Sequence, residues 1–504
     1  MKIQIFDSTL RDGAQGEGIA FSVDDKLAIC KKLDSLGIDF IEGGNPASNP
    51  KDREFFEKAK KLELKNAKLV AFTSTHRVGE VPQFEEILAA ETEFVCIFGK
   101  SWLLHVEEIL RCTPEQNLEI IKSTIEFFKS KNKRVFFDAE HFFDGYKDNA
   151  AYAMQVLETA SNAGAETLVL CDTNGGAIPF EIVEIVREIG RDDLGIHCHN
   201  DAGMAVASSI CAVNEGVQHV QGTFCGYGER CGNANLCTII PTLQLKMGLE
   251  CIPKEKMKNL VRTSRFVCET ANMTPYNGAP YVGSSAFAHK GGMHSDAVIK
   301  MPRSFEHIDP SLVGNERRIL LSDVAGRSAL MTVLSEIAPE ISRNDEVTHR
   351  ILDKLKELEH KGFQFEGAEG SLELLVLREL GKYKKHFDLG RFQVTDDGAT
   401  VSAFIKIYVD GVEEISGAEG HGPVNALDNA LRAALMRFYP ELEKMRLLDY
   451  KVRILGIGEA TASTTRVLIT STDGERKWTT IGISQDIIDA SWQALVDSIE
   501  YFLG

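Results

Sequence analysis

Residues 195–201 read Gly-Ile-His-Cys-His-Asn-Asp, a stretch typical of a β-strand that ends in polar residues. Residues two apart on a strand point to the same side, so His197 and His199 share one face. Two imidazoles spaced about 6–7 Å along a strand can converge on one cation, at a nitrogen–metal distance of roughly 2.1 Å. The alternative is a pair of packed histidines at a sheet edge, and the surrounding sequence decides between the two.

This strand is one of eight short β-rich runs within residues 1–275. Amphipathic segments separate the runs, and residues 24–33, for example, carry an apolar stripe at helical spacing that stops before Gly37. Eight βα units in series favour a (β/α)₈ TIM barrel over a doubly wound sheet. The eight runs are Ile3–Phe6, Phe40–Glu42, Leu69–Phe72, Phe94–Phe98, Val135–Phe137, Leu168–Cys171, Gly195–His197 and Val220–Thr223.

Polar residues follow most of these runs. In a TIM barrel the carboxyl ends of the strands meet at one mouth, where the chemistry of such proteins is located. A single polar strand end could be a helix cap, whereas several that face one mouth predict a site. The polar stretches are residues 7–15, 42–46, 138–141, 172–176, 197–201 and 226–233.

Composition limits the possible classes of protein. The chain has 504 residues, which suggests two or three domains. It has no apolar run of membrane-spanning length, and its first strand begins too early to leave room for a signal peptide, so we expect a cytoplasmic location. Eleven cysteines without a CxxC pair fit reduced thiols. A net charge of −18 argues against nucleic-acid and anionic-membrane partners.

Three motifs resemble those of a known superfamily: Leu-Arg-Asp-Gly-Ala-Gln at 10–15, His-Cys-His-Asn-Asp at 197–201 and Gly-Glu-Arg-Cys-Gly-Asn at 228–233. Together they are similar to the acyl-CoA-dependent synthases of the DRE-TIM metallolyase superfamily, which include 2-isopropylmalate, homocitrate and citramalate synthases. The resemblance continues to the C-terminus, and its later stretches look most like the long form of citramalate synthase. Those stretches include residues 172–176, 306–310 and 325–328.

The resemblance implies a Claisen-type condensation in which acetyl-CoA attacks an α-keto acid held by a divalent metal ion. It implies Asp12, His197 and His199 as metal ligands, with Asn233 as a weaker or water-mediated ligand. This mixture of hard oxygen and borderline nitrogen donors suits Mg²⁺, Mn²⁺, Co²⁺ or Zn²⁺.

Further roles around the metal follow from the same resemblance. Arg11 would place a positive charge beside the developing alkoxide, and Arg11, Gln15 and Thr173 would bind the substrate. Glu140 would take part in acid–base steps, and Glu229 would orient a base or a water. Structural alternatives stay open: a salt bridge across the mouth for Arg11, a helix N-cap for Thr173, and an ion pair with a neighbouring arginine for Glu229.

His294 lies outside the predicted barrel and matches the family's helper-region histidine, which is thought to reach into the partner subunit's site. The resemblance therefore implies a homodimer with shared active sites and makes His294 a catalytic candidate. A capping or surface histidine is the alternative. Relatives usually carry a tyrosine near residues 306–310, whereas this chain has Phe305. Because phenylalanine lacks the hydroxyl, we expect position 305 only to pack.

The rest of the chain divides into two predicted regions. Residues 276–385 are helical and charged, and they resemble linker subdomains that carry the helper histidine. Residues 386–504 predict a repeated βββα unit similar to the regulatory domain of isopropylmalate and citramalate synthases, which dimerises and binds an end-product amino acid. A plain dimerisation domain is the alternative. The predicted elements are strands at Val401–Val409, Val452–Leu455, Thr465–Thr470 and Trp478–Ile483, and helices at Val424–Phe438 and Asp486–Phe502.

The resemblance as a whole implies an acyltransferase that converts acetyl-CoA and pyruvate to citramalate and CoA. This is the first step of the pyruvate route to isoleucine, and isoleucine is the expected effector. The alternatives are a 2-isopropylmalate or homocitrate synthase, a retro-aldol lyase, and an inactive amino-acid-sensing protein. Keto-acid choice depends on few side chains, because discrimination of one methylene is worth only about 1–3 kcal/mol.

Overall fold

The computed structural model describes residues 2–77, 83–289, 292–319, 334, 337–339, 346–365, 367–455 and 463–504. Residues 325–328, and Lys290 and Gly291 of the helper region, lie outside the described residues. The chain forms two compact units. The first contains Met1–Phe287 and Ile308–Glu316, and the second contains Ala288–His307 and Arg317–Gly504. No helix within the described ranges is both long and apolar enough to cross a membrane.

The first unit contains a closed barrel of eight parallel strands in sequential order, which confirms the predicted TIM barrel. The barrel closes where β8 pairs with β1, with Gln4 opposite His219. The strands are β1 (Gln4–Asp7), β2 (Phe40–Gly44), β3 (Lys68–Ser74), β4 (Phe94–Lys100), β5 (Arg134–Glu140), β6 (Thr167–Asp172), β7 (Leu194–Cys198) and β8 (His219–Gly222).

Helices connect the strands, and their ends carry the expected signals. Ser22 and Asp25 form a capping box at the start of the first helix, and Gly37 ends it in the left-handed conformation. The helices are α1 (Val23–Leu36), α2 (Pro50–Ala59), α3 (Gln83–Ala89), α4 (Pro114–Ser130), α5 (Phe142–Asn162), α6 (Pro179–Ile189), α7 (Ala205–Asn214), α8 (Leu236–Pro241) and α9 (Leu260–Thr270).

Strands β4 and β5 are longer than the sequence pattern predicted. Their pairing continues to Lys100 opposite Glu140, because inward polar residues at the mouth interrupt the apolar pattern without ending the ladder. Asp138 and Glu140 therefore lie on β5 itself. Since residues two apart on a strand share a face, both side chains point to the same side.

An apolar layer fills the barrel below this polar mouth. The buried side chains that form it are Phe6, Phe40, Val70, Phe94, Cys96 and Phe136. The rings of Phe40 and Phe136 meet edge to face with centroids 5.0 Å apart. Such layers of inward side chains make the interior of a TIM barrel a packed core rather than a pore. The mouth alone is left open for a site.

The second unit contains the predicted repeated βββα plan. Two three-stranded antiparallel sheets each pair with one helix, and a common apolar core joins them. Preceding elements are β9 (Ala288–His289), α10 (Gly292–Lys300), β10 (Arg318–Ile319), α11 (Glu346–His360) and α12 (Glu369–Glu379). The repeats are β11 (Asp388–Asp396), β12 (Val401–Val409), β13 (Val412–Gly420) and α13 (Pro423–Leu435), then β14 (Arg446–Leu455), β15 (Thr464–Thr472), β16 (Lys477–Ser484) and α14 (Ile487–Leu503).

Candidate active site

A three-residue cluster occupies the barrel mouth. Asp12 follows β1, whereas His197 lies on β7 and His199 just beyond it. Asp12 Oδ2 is 3.5 Å from His197 Nε2 and 3.7 Å from His199 Nε2. One potential ligand atom from each residue lies within 4.8 Å of the others, and the three residues are only 2%, 5% and 6% exposed. The structure thus brings the predicted ligands together.

The chemistry of this cluster fits a divalent cation. Asp12 Oδ1, His199 Nδ1 and Asn233 Oδ1 are buried and have no hydrogen-bond partner among the described residues. Such orphaned acceptors are costly unless a ligand satisfies them. Burial lowers the pKa of His197 to about 4, so its imidazole is neutral and can donate a lone pair. Burial alone would raise the pKa of Asp12, but Arg11 and the two imidazoles hold it below its usual value.

Arg11 is held rigidly beside the cluster. Its Nε donates to Glu42 Oε2 at 2.7 Å, and its Nη1 lies 3.5 Å from Asp12 Oδ2. The guanidinium also stacks on Phe72, with Cζ 3.9 Å from the ring centroid. Burial alone would lower the pKa of Arg11, but the charges of Glu42 and Asp12 raise it, so the cation is permanent. The salt bridge considered as an alternative is present, and the side chain still lines the pocket.

A pocket of about 240 Å³ opens above the cluster. Its wall combines charged residues with two aromatic rings, Phe72 and Phe98, which stack at 5.2 Å. Every predicted site residue of the barrel except Asn233 lines it. The lining residues are Arg11, Asp12, Gln15, Phe72, Phe98, Asp138, Glu140, Cys171, Thr173, His197, His199, Glu229 and Arg230. Asn233 is buried next to this wall, where it forms a β-bridge with His199.

Known proteins match the chain along its whole length. The (R)-citramalate synthase of Aquifex aeolicus is 52% identical over 516 aligned positions, which cover 100% of this chain and 98% of the relative. The (R)-citramalate synthase of Geobacter sulfurreducens is 51% identical and covers 99% of this chain and 97% of the relative. The chain belongs to the (R)-citramalate synthase family.

Three domain-family profiles agree with this membership in the (R)-citramalate synthase family. Residues 2–267 match the HMGL-like family, residues 281–362 the homocitrate synthase post-HMGL domain-like family, and residues 366–503 the LeuA allosteric (dimerisation) domain. A 2-isopropylmalate synthase from Pyrococcus furiosus is 30% identical over 99% of this chain and 98% of that relative. The resemblance drawn from the three motifs is confirmed.

The acidic and hydroxyl candidates have defined neighbours in this member of the (R)-citramalate synthase family. Glu140 forms an ion pair with Lys100, which lies opposite it on β4. The hydroxyl oxygen of Thr173 accepts a hydrogen bond from the backbone N–H of His141 at 2.9 Å. Thr173 is not the N-cap of the helix that follows it, because that helix begins at Pro179. Glu229 lies 3.7 Å from Arg230, the ion pair that was the structural alternative for it.

The side chain of Arg230, which follows β8, forms hydrogen bonds to residues that follow β6 and β7. It donates twice to the carboxylate of Asp201, at 2.7 and 2.9 Å, and once to the backbone carbonyl of Thr173 at 2.8 Å. Its own backbone is in the left-handed region, with φ 53°. In the same loop, a side chain at Gly232 would lie 1.9 Å from the carbonyl oxygen of Gly226. These contacts fix the loop that carries Glu229 and Asn233.

Sequence reasoning missed several residues that support the cluster. Gln221 on β8 accepts a hydrogen bond from His197 Nδ1 at 3.0 Å and donates to Asp138 Oδ1 at 3.0 Å. Burial, reinforced by the charge of Glu42, raises the pKa of Asp138 to about 7. Glu42 and Asp138 were visible as polar strand ends, but their partners depend on strand register. Gln221 carried no signal, because a lone glutamine in a strand is unremarkable.

His294 belongs to the second unit, on α10, and is exposed. Its ring lies 4.4 Å from the ring of Phe305, which is 47% exposed. Position 305 therefore contacts the predicted helper histidine.

Proposed function

We propose that this chain condenses acetyl-CoA with pyruvate in a Claisen-type reaction and then hydrolyses the thioester, which gives citramalate and CoA. The observation that carries the proposal is the buried Asp12–His197–His199 cluster at the base of the mouth pocket. Membership in the (R)-citramalate synthase family supports the choice of substrates. The reaction would be the first step of the pyruvate route to isoleucine.

In this proposal Asp12, His197 and His199 hold a divalent cation, and Asn233 is a weaker or water-mediated ligand. When bound, such a cation would polarise the ketone of the keto acid and favour its attack. The donors fit Mg²⁺, Mn²⁺, Co²⁺ or Zn²⁺, because carboxylate and neutral imidazole serve all four. The orphaned oxygen atoms of Asp12 and Asn233 support this assignment.

Arg11 and Thr173 would position the keto acid. The guanidinium of Arg11 is fixed by Glu42 and Phe72, so its charge needs no rearrangement to stabilise the oxyanion that develops. The Thr173 hydroxyl still has a proton to donate, since its oxygen is the acceptor in the contact with His141. We assign that proton to the substrate carboxylate, with Gln15 as a further contact. The two aromatic rings of the wall would exclude water from the keto carbon.

Proton transfer in this proposal falls to Glu140 and His294. The Glu140 carboxylate lies in the pocket wall, where it forms an ion pair with Lys100. Glu229 would orient a base or a water. His294 is exposed on the second unit, which is compatible with a helper group that a second copy of the chain supplies. We therefore propose a homodimer with shared active sites.

The C-terminal region would carry regulation. It matches the LeuA allosteric (dimerisation) domain and has the repeated βββα plan. We propose that this region dimerises and binds isoleucine, the end product that the proposed reaction would feed. Binding of isoleucine by the full chain, with inhibition of turnover, is the expected outcome of calorimetry and an activity assay. A pathway amino acid other than isoleucine that inhibits more strongly would contradict the effector assignment.

A keto-acid panel tests the proposed reaction. Purified protein is mixed with acetyl-CoA, Mn²⁺ or Mg²⁺, and pyruvate, 2-oxoisovalerate or 2-oxoglutarate, and release of the CoA thiol is followed. We expect thiol release with pyruvate, and citramalate as the product by mass spectrometry. Preference for 2-oxoisovalerate or 2-oxoglutarate would instead indicate a 2-isopropylmalate or homocitrate synthase. No thiol release with any keto acid would reject the enzymatic proposal.

A further inference from the structure

Three strands of the barrel, β5, β7 and β8, supply a line of hydrogen bonds that ends at a predicted metal ligand. Asp138 on β5, Gln221 on β8 and His197 on β7 are all buried. Gln221 Nε2 donates to Asp138 Oδ1 at 3.0 Å, and Gln221 Oε1 lies 3.0 Å from His197 Nδ1. His197 and Gln221 are directly opposite each other in the β7–β8 register. The strand pairing therefore builds the contact.

The chemistry of the three groups gives this line a direction. When ionised, the Asp138 carboxylate can only accept hydrogen bonds, so it must face the NH₂ group of the Gln221 amide. The amide oxygen then faces His197, and an oxygen can only accept. His197 must therefore carry its proton on Nδ1, which leaves the Nε2 lone pair free on the side of Asp12.

We propose that Gln221 and Asp138 are positioning residues that select the tautomer and orientation of His197 for metal binding. This inference rests on the proposed metal site. Hydrogen-bond partners of this kind fix the ring of a ligating histidine and raise its basicity, and their loss typically weakens metal affinity by roughly 10–100-fold. Glu42 and Arg11 also act electrostatically on Asp138, so the carboxylate belongs to the charged network of the mouth.

The two replacements Gln221→Leu and Gln221→Glu separate hydrogen bonding from packing. Leucine removes both the donor and the acceptor, whereas glutamate keeps an acceptor oxygen for His197 Nδ1–H. Because two buried carboxyl groups in contact share one proton, the introduced glutamate also keeps a hydrogen bond to Asp138. At pH 8, above the pKa of about 7 for Asp138, we expect Gln221→Leu to raise the Kd for Mn²⁺ by roughly 10–100-fold in calorimetry. Gln221→Glu should bind Mn²⁺ within about threefold of the unmodified chain.

A matched control is available in the same unit. Gln244 is half-buried and accepts backbone N–H groups of Cys251 and Ile252, away from the mouth pocket. Gln244→Leu should leave the Kd for Mn²⁺ unchanged. Circular dichroism melting of each variant verifies folding before the titration, and the Gln221→Glu result provides a reading if the leucine variant does not fold.

The outcomes distinguish this inference from the proposed reaction. Equal Mn²⁺ affinity in Gln221→Leu and the unmodified chain would overturn the positioning role, and so would equal losses in Gln221→Leu and Gln221→Glu. An unmodified chain that binds no Mn²⁺ would overturn this role together with the proposed metal site. A chain whose Mn²⁺ affinity depends on Gln221 but that releases no CoA with pyruvate would support the positioning role and reject the proposed reaction.

Discussion

Two buried histidines on adjacent strands lie in different surroundings: His219 is in the apolar interior of the barrel, and His197 is at its polar mouth. His219 on β8 is level with Gly195 on β7, two residues before His197, so the two imidazoles belong to successive layers of the barrel. His219 packs among phenylalanines, with its ring 4.9 Å from Phe136 and 5.4 Å from Phe6. Each Nδ1 meets a glutamine oxygen, Gln4 Oε1 at 3.4 Å for His219 and Gln221 Oε1 at 3.0 Å for His197, but His197 also faces a carboxylate, with Nε2 3.5 Å from Asp12 Oδ2.

Burial keeps both imidazoles neutral, since it lowers the pKa of His197 to about 4 and that of His219 to about 3. The difference between them therefore lies in their neighbours, not in their charge. His219 Nε2 has no hydrogen-bond partner among the described residues, and aromatic rings surround it, so it has no second ligand to share a cation with. A histidine in a barrel becomes a metal candidate through the acceptors placed beside it.

The largest expected effect comes from removing the mouth histidine. His197→Ala deletes one of three proposed ligands, and we expect metal-dependent turnover of acetyl-CoA and pyruvate to fall by roughly a thousandfold or more, as for other residues that act as a unit in catalysis. Binding of amino acid to the C-terminal region should be retained. CoA-thiol release measures the first result and calorimetry the second. Turnover within tenfold of the unmodified chain would show that His197 is not a ligand.

The second prediction concerns Arg11 and asks whether the polar mouth, unlike the apolar layer, depends on a fixed positive charge as well as on metal ligands. Arg11→Gln should lower kcat by roughly 100–1,000-fold, because a preorganised positive charge beside the developing oxyanion is lost. The matched control is Arg134→Gln. Arg134 begins β5, at the end of the barrel away from the mouth, and it pairs with Glu166 and Glu93. The control should retain kcat within about twofold. Equal kcat in both variants would remove Arg11 from the reaction.

His219 should influence stability rather than turnover. Its pKa is near 6.5 in the unfolded chain and about 3 in the folded barrel, so the unfolded state takes up the proton as the pH falls. Stability contributed by the neutral side chain is present above pH 6.5 and is lost as the pH falls toward 3. When the pH is lowered from 7.5 to 5, the free energy of unfolding of the unmodified chain should therefore fall by about 2 kcal/mol more than that of His219→Leu.

Urea denaturation of both full chains at the two pH values measures this difference in the free energy of unfolding. An identical pH dependence in the two chains would show that His219 is not buried as a neutral group. A loss of turnover in His219→Leu at pH 7.5, with folding intact, would show that the apolar layer influences the reaction as well as stability.

The sequence predicted the metal ligands better than the residues that hold them in place, and the reason is physical. His197 and His199 are revealed by a period of two along one strand, and Asp12 by the motif at residues 10–15 on which the family resemblance rests. Gln221 and Glu42 act through contacts that depend on which residues neighbouring strands bring level, and that register is not visible in one strand's pattern. The eight strands were predictable for the same local reason, whereas the extension of β5 through Glu140 required its partner.

The smallest expected effect concerns a third histidine, which neither layer contains. The ring of His294 lies 4.4 Å from the ring of Phe305 in the second unit, and Phe305 is half-exposed. Phe305→Tyr should change kcat by about twofold or less, because a side chain that only packs makes no contact that strengthens in the transition state. Steady-state kinetics measures the change. A gain of tenfold or more would show that a hydroxyl at position 305 takes part in the reaction.

Stoichiometric Mn²⁺ binding tests the central claim most directly. Calorimetric titration of the unmodified chain, His219→Leu and His197→Ala compares the two layers in one experiment, independently of turnover. The account predicts one ion per chain with similar affinity for the unmodified chain and His219→Leu, and affinity at least a hundredfold weaker for His197→Ala. Equal binding by His197→Ala and the unmodified chain would contradict it.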